Sequence, residues 1–143
     1  MIERTYSADI INYLVNHPSV RPFVGGDINE PQDLGAPIAD EQNYFLIGEH
    51  GGFALIWSAP RVYEVHTFIL PEGRGKWARD AVKAMLAYMT EYSSFIWTHV
   101  HPDAANVRIF TLRAGFKPSG SHRLDLGAGP VDYLTYIWRV PCQ

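Results

Sequence analysis

The chain has 143 residues, of which 47% are hydrophobic and 19% charged, so it can bury the core of one domain and is not a disordered chain. Its net charge of -3 argues against nucleic-acid binding, because that function usually requires a basic excess. Cys142 is the only cysteine, and the sequence shows neither a signal-peptide pattern nor an apolar run of membrane-spanning length. We expect a cytoplasmic protein with one domain over residues 1–143 and without nucleic-acid or membrane partners.

The first half of the sequence predicts a helix, a long loop and three strands. The helix begins after Ser7, a good N-cap residue, and ends at His17 because the next residue is proline. Its apolar stripe is formed by Ile10, Ile11, Leu14 and Val15. Residues 18–41 are rich in Pro, Gly, Asp and Asn, which indicates a loop of the kind that often forms a binding-site wall. Strands are predicted at residues 43–48, 53–57 and 62–70, with a hairpin turn at 49–52.

The second half alternates helices and strands. A helix is predicted at residues 77–89, a strand at 94–100, a helix from an Asp103 cap to residue 114, and closing strands at 116–121 and 134–140. In the later helix we expect Ala105, Ile109 and Leu112 to be buried. The order of elements indicates a mixed α/β domain.

A glycine loop joins the third predicted strand to the second helix. Its sequence is Pro71-Glu72-Gly73-Arg74-Gly75-Lys76. The first turn of a helix offers unpaired N–H groups and the positive end of a dipole, and glycine lets an anion approach the backbone closely. The loop therefore suits a phosphate group, although such turns are also often plain connections. The Lys-Ser/Thr ending of a Walker loop and the glycine spacing of a Rossmann site are both missing.

The loop and a later helix together resemble a known family. Residues 68–78 resemble the acetyl-CoA loop of the GNAT superfamily of N-acetyltransferases, which reads Arg/Gln-x-x-Gly-x-Gly/Ala after the fourth strand. Residues 106–116, ending in Gly-Phe, resemble the helix that follows in that family. The resemblance covers most of the chain and is greatest to small bacteriophage-encoded members. The sequence departs from the pattern at Trp77 and Arg79, and Ala78 can take the closing small position.

The resemblance implies a mixed, mostly antiparallel central sheet that is flanked by helices and splays after the fourth strand. It also implies acetyl-CoA as the cofactor and transfer of an acetyl group to an amine of a small molecule or a protein. A homodimer is left open. The expected cofactor-binding residues are Phe68, Leu70, Gly73, Arg74, Gly75, Lys76, Trp77, Ala78 and Asn106.

Two polar residues precede the glycine loop and are the candidate catalytic base. Glu64 and His66 share one face of the predicted strand, where the family often places a carboxylate base. The alternative is an exposed polar pair without a catalytic role. The oxygen of the thioester needs a hydrogen-bond donor, for which we expect the backbone N–H of Phe68 or Leu70.

Other features leave alternatives open. The position of the family's tyrosine acid falls near Thr111, where there is no tyrosine, and the alternatives for this role are Tyr133, Tyr136 and water. Together with Trp77, which could narrow the loop or stack along the pantetheine arm, this suggests a second hypothesis: a non-catalytic interaction or phage assembly protein with a vestigial CoA site.

We predict no metal, because His99 and His101 lack a third ligand and are more simply a polar strand end.

The acceptor site is expected between residues 18–40 and residues 122–132. Carboxylates in these segments hint at a cationic amine as the acceptor. They are Asp27, Glu30, Asp33, Asp125 and Asp132.

Overall fold

The computed structural model describes residues 1–25, 27–127 and 129–141. The strands are β1 (Glu3–Arg4), β2 (Tyr44–Gly48), β3 (Gly51–Ala59), β4 (Val62–Ile69), β5 (Phe95–Val100), β6 (Lys117–Asp125) and β7 (Pro130–Arg139). The helices are α1 (Ala8–Asn16), α2 (Gly35–Ala39), α3 (Lys76–Met89) and α4 (Ala105–Arg113), with 3-10 helices at Arg21–Phe23 and Pro71–Gly73. The predicted order is confirmed, and β1 and α2 are additions to it.

One sheet organises the described residues. Its seven strands lie in the order β1-β2-β3-β4-β5-β7-β6. In the described residues β4 and β5 pair in parallel, and every other pair of neighbouring strands is antiparallel. The parallel pairing covers the three residue pairs from Val62↔Phe95 to Glu64↔Trp97, although β4 runs on to Ile69. The two strands therefore separate beyond Glu64, and a gap opens in the middle of the sheet. The predicted mixed sheet, splayed after the fourth strand, is confirmed.

Helices cover the two faces of this sheet with separate cores. On one face α3 packs its apolar stripe against β3, β4 and β5, in the cluster that includes Met85, Met89 and Ile96. On the other face α1 and α2 pack against β2 and β3. The Ser7 hydroxyl accepts the Ile10 N–H and caps α1, as predicted. Ile10 itself is exposed, because the buried stripe of the helix consists of Ile11, Leu14 and Val15.

The predicted start and buried face of α4 are wrong. The helix begins after Ala104, and Asp103 forms no side-chain cap. Ile109 and Leu112 are each 47% exposed, whereas Thr111 is buried with its hydroxyl bonded to a backbone carbonyl. Apolar residues occur on several sides of this short helix, so the sequence does not define one stripe.

Residues 18–25 and 27–41 form a more ordered segment than the predicted loop. The guanidinium of Arg21 is the reason: this side chain is 6% exposed and donates five hydrogen bonds to nearby carbonyls. The acceptors are the backbone oxygens of Val24, Gly25, Asp27 and Glu30. One charged side chain thus provides hydrogen-bond donors for backbone carbonyl oxygens that would otherwise lack a partner in these turns.

The closing hairpin is longer than predicted, and part of the predicted acceptor wall belongs to it. Residues 122–125 lie in β6 and residues 130–132 in β7, where the sequence suggested a loop. Most residues of β6 are exposed, which removes the apolar alternation that would have revealed the strand. No helix in the described part of the chain has both the length and the apolar character to cross a membrane.

Candidate active site

The loop after β4 uses its two glycines for different purposes. Gly73 is buried, and a Cβ at this position would collide with the side chain of His50 and lie 2.9 Å from the ring of Trp77. Gly75 is the N-cap of α3, with φ of 112° and ψ of -128°, a conformation that suits glycine alone. Gly73 therefore permits close packing, and Gly75 turns the chain into the helix.

The first turn of α3 presents backbone donors without acceptors. Within residues 1–25, 27–127 and 129–141, no hydrogen bond uses the N–H groups of residues 75–78, and no side chain caps the helix. The first backbone bond runs from the Arg79 N–H to the Gly75 oxygen at 3.1 Å. These N–H groups and the helix dipole form a site that favours an anion. Gly75, Lys76, Trp77 and Ala78 are four of the residues predicted to bind the cofactor, and that assignment stays a prediction.

Two cationic side chains flank this turn, but their charges are not equally available. Lys76 forms an ion pair with Asp80 at 2.8 Å, and its hydrogen bond lowers the pKa of the Asp80 carboxyl. Arg74 donates to the backbone oxygen of Ser19 at 2.8 Å, so its charge faces a neutral carbonyl. Arg74 thus brings uncompensated positive charge to the turn and links it to the start of the 18–41 segment.

Trp77 does not lie across the turn. Its ring is half-buried against the core of α3, and it contacts His50 edge-on at 5.3 Å between ring centroids. A Cβ built on Gly48 would come within 2.8 Å of the indole, which places the ring beneath the β2–β3 turn. Trp77 can therefore give a bound anion its backbone N–H, while its indole stays in the core. The side chain of Ala78 is likewise buried, at 5% exposure.

Glu64 and His66 lie where the sheet splits. Glu64 pairs with Trp97 in the last parallel step, and His66 is the next residue of β4 on the same face. Their side chains contact each other, with 3.2 Å between His66 Nε2 and Glu64 Oε1. Glu64 is 23% exposed and His66 is 46% exposed, so the pair joins the gap to solvent. This arrangement can accept a proton inside the gap and release it outside.

The structure changes the choice of backbone donor in the gap. The Leu70 N–H donates to the His50 oxygen at 2.9 Å, so it points away from the gap and toward β3. N–H groups alternate along a strand, and Phe68 pairs with Gly52 in the same antiparallel register, so its N–H also points toward β3. The prediction that Phe68 or Leu70 donates into the gap is therefore wrong by one residue. The N–H groups of Thr67 and Ile69 face the gap instead.

A chain of histidines crosses the sheet beside this pair. The Thr135 hydroxyl lies 2.9 Å from His122 Nδ1 and 3.3 Å from His99 Nδ1. Burial lowers the pKa of His99, and the nearby His122 and His66 act in the same direction, while Glu64 opposes them. His99 is therefore neutral near neutral pH. The sequence singled out His99 only as half of a metal pair, and it gave no sign of its link to Thr135.

The remaining candidates fall outside this arrangement or stay open. Asn106 is exposed in the first turn of α4. Tyr136 is buried in the core on the α3 side, whereas Tyr133 lies near His101, with 5.6 Å between ring centroids. The described residues contain no group of three or more His, Cys, Asp or Glu side chains arranged to hold a metal. Cys142 lies outside the described residues.

The architecture matches that of solved acetyltransferases. A spermidine N-acetyltransferase from Vibrio cholerae, in complex with CoA and spermine, superposes with a TM-score of 0.78 at 18% identity, covering 98% of this chain and 95% of the other. The chain has the GNAT fold. A ribosomal-protein-S5-alanine acetyltransferase from Vibrio fischeri matches with a TM-score of 0.74 at 11% identity, covering 97% of this chain and 92% of its own.

A third structure with the GNAT fold is the microcin C7 self-immunity acetyltransferase in complex with acetyl-CoA and AMP. Its TM-score is 0.73 at 15% identity, and the match covers 97% of this chain and 92% of the other. No protein-family model matches the sequence, and no curated protein sequence matches it. The three acetyltransferases differ in the acceptors that their names state, so the GNAT fold alone leaves the acceptor of this chain open.

Proposed function

We propose that this protein is an N-acetyltransferase that moves an acetyl group from acetyl-CoA to an amine. The observation that carries the proposal is the gap between β4 and β5, which has a Glu–His pair at its mouth and unpaired helix N–H groups beyond it. Acetyl-CoA has the parts that these features fit: a diphosphate for the helix N-terminus and a narrow arm for the gap. The GNAT-fold structures solved with CoA or acetyl-CoA support the same ligand.

In this proposal the turn at residues 75–78 holds the diphosphate through its backbone N–H groups. Arg74 supplies positive charge to the diphosphate, because the charge of Lys76 is offset by its ion pair with Asp80. Because these donors are fixed by the helix, they need no reorganisation when the anion binds. Exposed Asn106 on α4 remains a candidate contact for the pantetheine arm.

Glu64 and His66 form the proposed base. An alkyl ammonium has a pKa of about 10, so the acceptor must lose a proton before its nitrogen can attack. Glu64 takes that proton at the gap, and His66 passes it to solvent, since the two side chains are 3.2 Å apart and His66 is the more exposed. The amine nitrogen then forms the bond to the acetyl carbon, the bond from that carbon to sulfur breaks, and the CoA thiolate takes up the second proton that the nitrogen loses, so that CoA leaves as the free thiol. The N–H groups of Thr67 and Ile69 stabilise the negative charge on the carbonyl oxygen.

The test is thiol release from acetyl-CoA with a panel of amines, compared between wild type and the double variant Glu64→Gln, His66→Asn. General base catalysis contributes about 100-fold to 10,000-fold, so we expect kcat to fall at least about 100-fold. CoA binding measured by calorimetry should remain, because neither residue contacts the turn at 75–78. Glu49→Gln is the control, since Glu49 also lies near a histidine, at 3.8 Å from His50, but outside the gap.

The two measurements separate the parts of the proposal. Unchanged turnover in the double variant would remove Glu64 and His66 from the mechanism. Absence of CoA binding to the wild type at millimolar concentration would remove the cofactor, and with it the transferase. Trp77 was one of two reasons to suspect a vestigial site, and its half-buried indole packs against the α3 core and the His50 ring.

A further inference from the structure

We propose that the acceptor is an amine with a single positive charge and an apolar, preferably aromatic, body. This inference rests on the proposed function and specifies its second substrate. It comes from a depression of about 580 Å³ on the open face of β5 and β7, which is next to the Glu64–His66 pair. Ligand pockets of about 300–1,000 Å³ are typical for small molecules, so the depression has a suitable size.

The floor of the depression is apolar. β4, β5 and β7 each contribute to it, through Val62, Phe95, Trp97 and Ile137. Trp97 stands opposite Glu64 in the parallel register, so the floor begins directly beside the proposed base. An amine whose nitrogen reaches Glu64 can therefore lay the rest of its structure over Trp97 and its neighbours. Such a floor favours binding of an aromatic group, because that group buries a large apolar surface on it.

The charges around the depression argue against a second ammonium on the acceptor. None of its lining residues is a carboxylate, and at the end away from His99 it is bordered by Arg139, whose guanidinium stacks on the Phe95 ring at 4.5 Å. Arg139 lies two strands away from Glu64 across the sheet and two residues further along the strand direction, so their Cα atoms are about 12 Å apart. A diamine bound at Glu64 would thus bring its far end toward another cation.

Four of the five carboxylates that hinted at a cationic acceptor are engaged elsewhere, and the fifth, Glu30, is exposed and does not line the depression. Asp27 and Asp33 accept backbone N–H groups in their own turns, and Asp125 accepts those of Gly127 and Gly129. Asp132 faces Arg123 across the hairpin at 4.0 Å. None of these four carboxylates lines the depression. They stabilise loops and turns, and the depression keeps its neutral and cationic lining.

The experiment compares phenylethylamine with putrescine as acceptors, by thiol release from acetyl-CoA. We expect kcat/KM to be at least about 10-fold higher for phenylethylamine, a difference of about 1.4 kcal/mol. Trp97→Ala should raise the KM for phenylethylamine about 10-fold with little change in kcat, because the residue binds the apolar body and takes no part in proton transfer. Arg139→Glu should raise kcat/KM for putrescine at least about 10-fold. Arg123→Glu makes the same change of net charge on the opposite face of the sheet and should not do so.

Each outcome decides the inference. A wild-type preference for putrescine, or an equal response to Arg139→Glu and Arg123→Glu, would overturn the monoamine specificity while the transferase stands. Should no amine be acetylated, saturation-transfer NMR of phenylethylamine with the wild type and Trp97→Ala tests the depression directly, and equal signals would overturn the inference. The other possible occupant of this face is a second copy of the chain, which sedimentation of the wild type and Trp97→Ala tests. If the wild type is a dimer and Trp97→Ala a monomer, a second copy covers this face and the inference is overturned.

Discussion

Replacing Gly75 by alanine should weaken CoA binding about 30-fold. Gly75 has φ of 112° and ψ of -128°, where an alanine is strained by about 1–3 kcal/mol. A Cβ built at this position has no heavy atom within 4 Å, so the substitution acts through the backbone and not through a collision. The chain can relieve the strain only by rotating the peptide groups that carry the N–H donors of the turn.

The magnitude follows from the donors that such a rotation removes. A hydrogen bond to a charged group contributes about 1.5–3 kcal/mol. Loss of one such bond, taken as about 2 kcal/mol, corresponds to about a 30-fold rise in Kd, because about 1.4 kcal/mol is tenfold. Isothermal titration calorimetry with CoA measures this change, and urea unfolding measures the accompanying loss of stability.

Gly120 provides the matched control. It also has a positive φ, 96°, and open space around its Cβ position, but it lies in β6, away from the turn. Gly120→Ala should lose a similar amount of stability and bind CoA as the wild type does. The reasoning is refuted if Gly75→Ala is destabilised like Gly120→Ala and yet binds CoA with unchanged affinity.

Two further predictions concern stability. Arg21→Met keeps an apolar side chain but removes the guanidinium and its hydrogen bonds. Because water replaces part of the lost hydrogen bonding, the free energy of unfolding in urea should fall by about 2–3 kcal/mol, and proteolysis should begin near residue 21. A fall of less than about 0.5 kcal/mol would contradict this prediction. Because burial lowers the pKa of His99 below its usual value of 6.5, the unfolded state binds the proton more readily, and the free energy of unfolding should decline from about pH 7 to about pH 5. His99→Gln should reduce that decline, and an equal decline in variant and wild type would show that His99 is not its source.

The parts of the fold that follow from local chemistry were predictable. Ser7 and His17-Pro18 set the ends of α1, and the glycine loop before a strong apolar stripe marked the start of α3. The resemblance to the GNAT superfamily then supplied the splayed sheet, which no local pattern contains. The pairing of Glu64 with His66 also followed from the alternation of a strand.

The parts that depend on tertiary contacts were not predictable. Nothing local marks Arg21 as buried, because arginine is rarely buried and its acceptors are carbonyls of residues that show no pattern. The direction of the N–H groups at Phe68 and Leu70 depends on the register with β3, which is set by the hairpin at His50. The link between His99, Thr135 and His122 joins three strands, two of which were predicted too short.

The central claim is that the backbone N–H groups at the start of α3 hold the diphosphate of CoA. A crystal structure of the wild-type protein grown with excess CoA tests it most directly. The account predicts diphosphate oxygens within about 3.2 Å of N–H groups in residues 75–78, with the arm of the cofactor running between β4 and β5. A CoA molecule bound elsewhere, with those N–H groups still facing solvent, would contradict it.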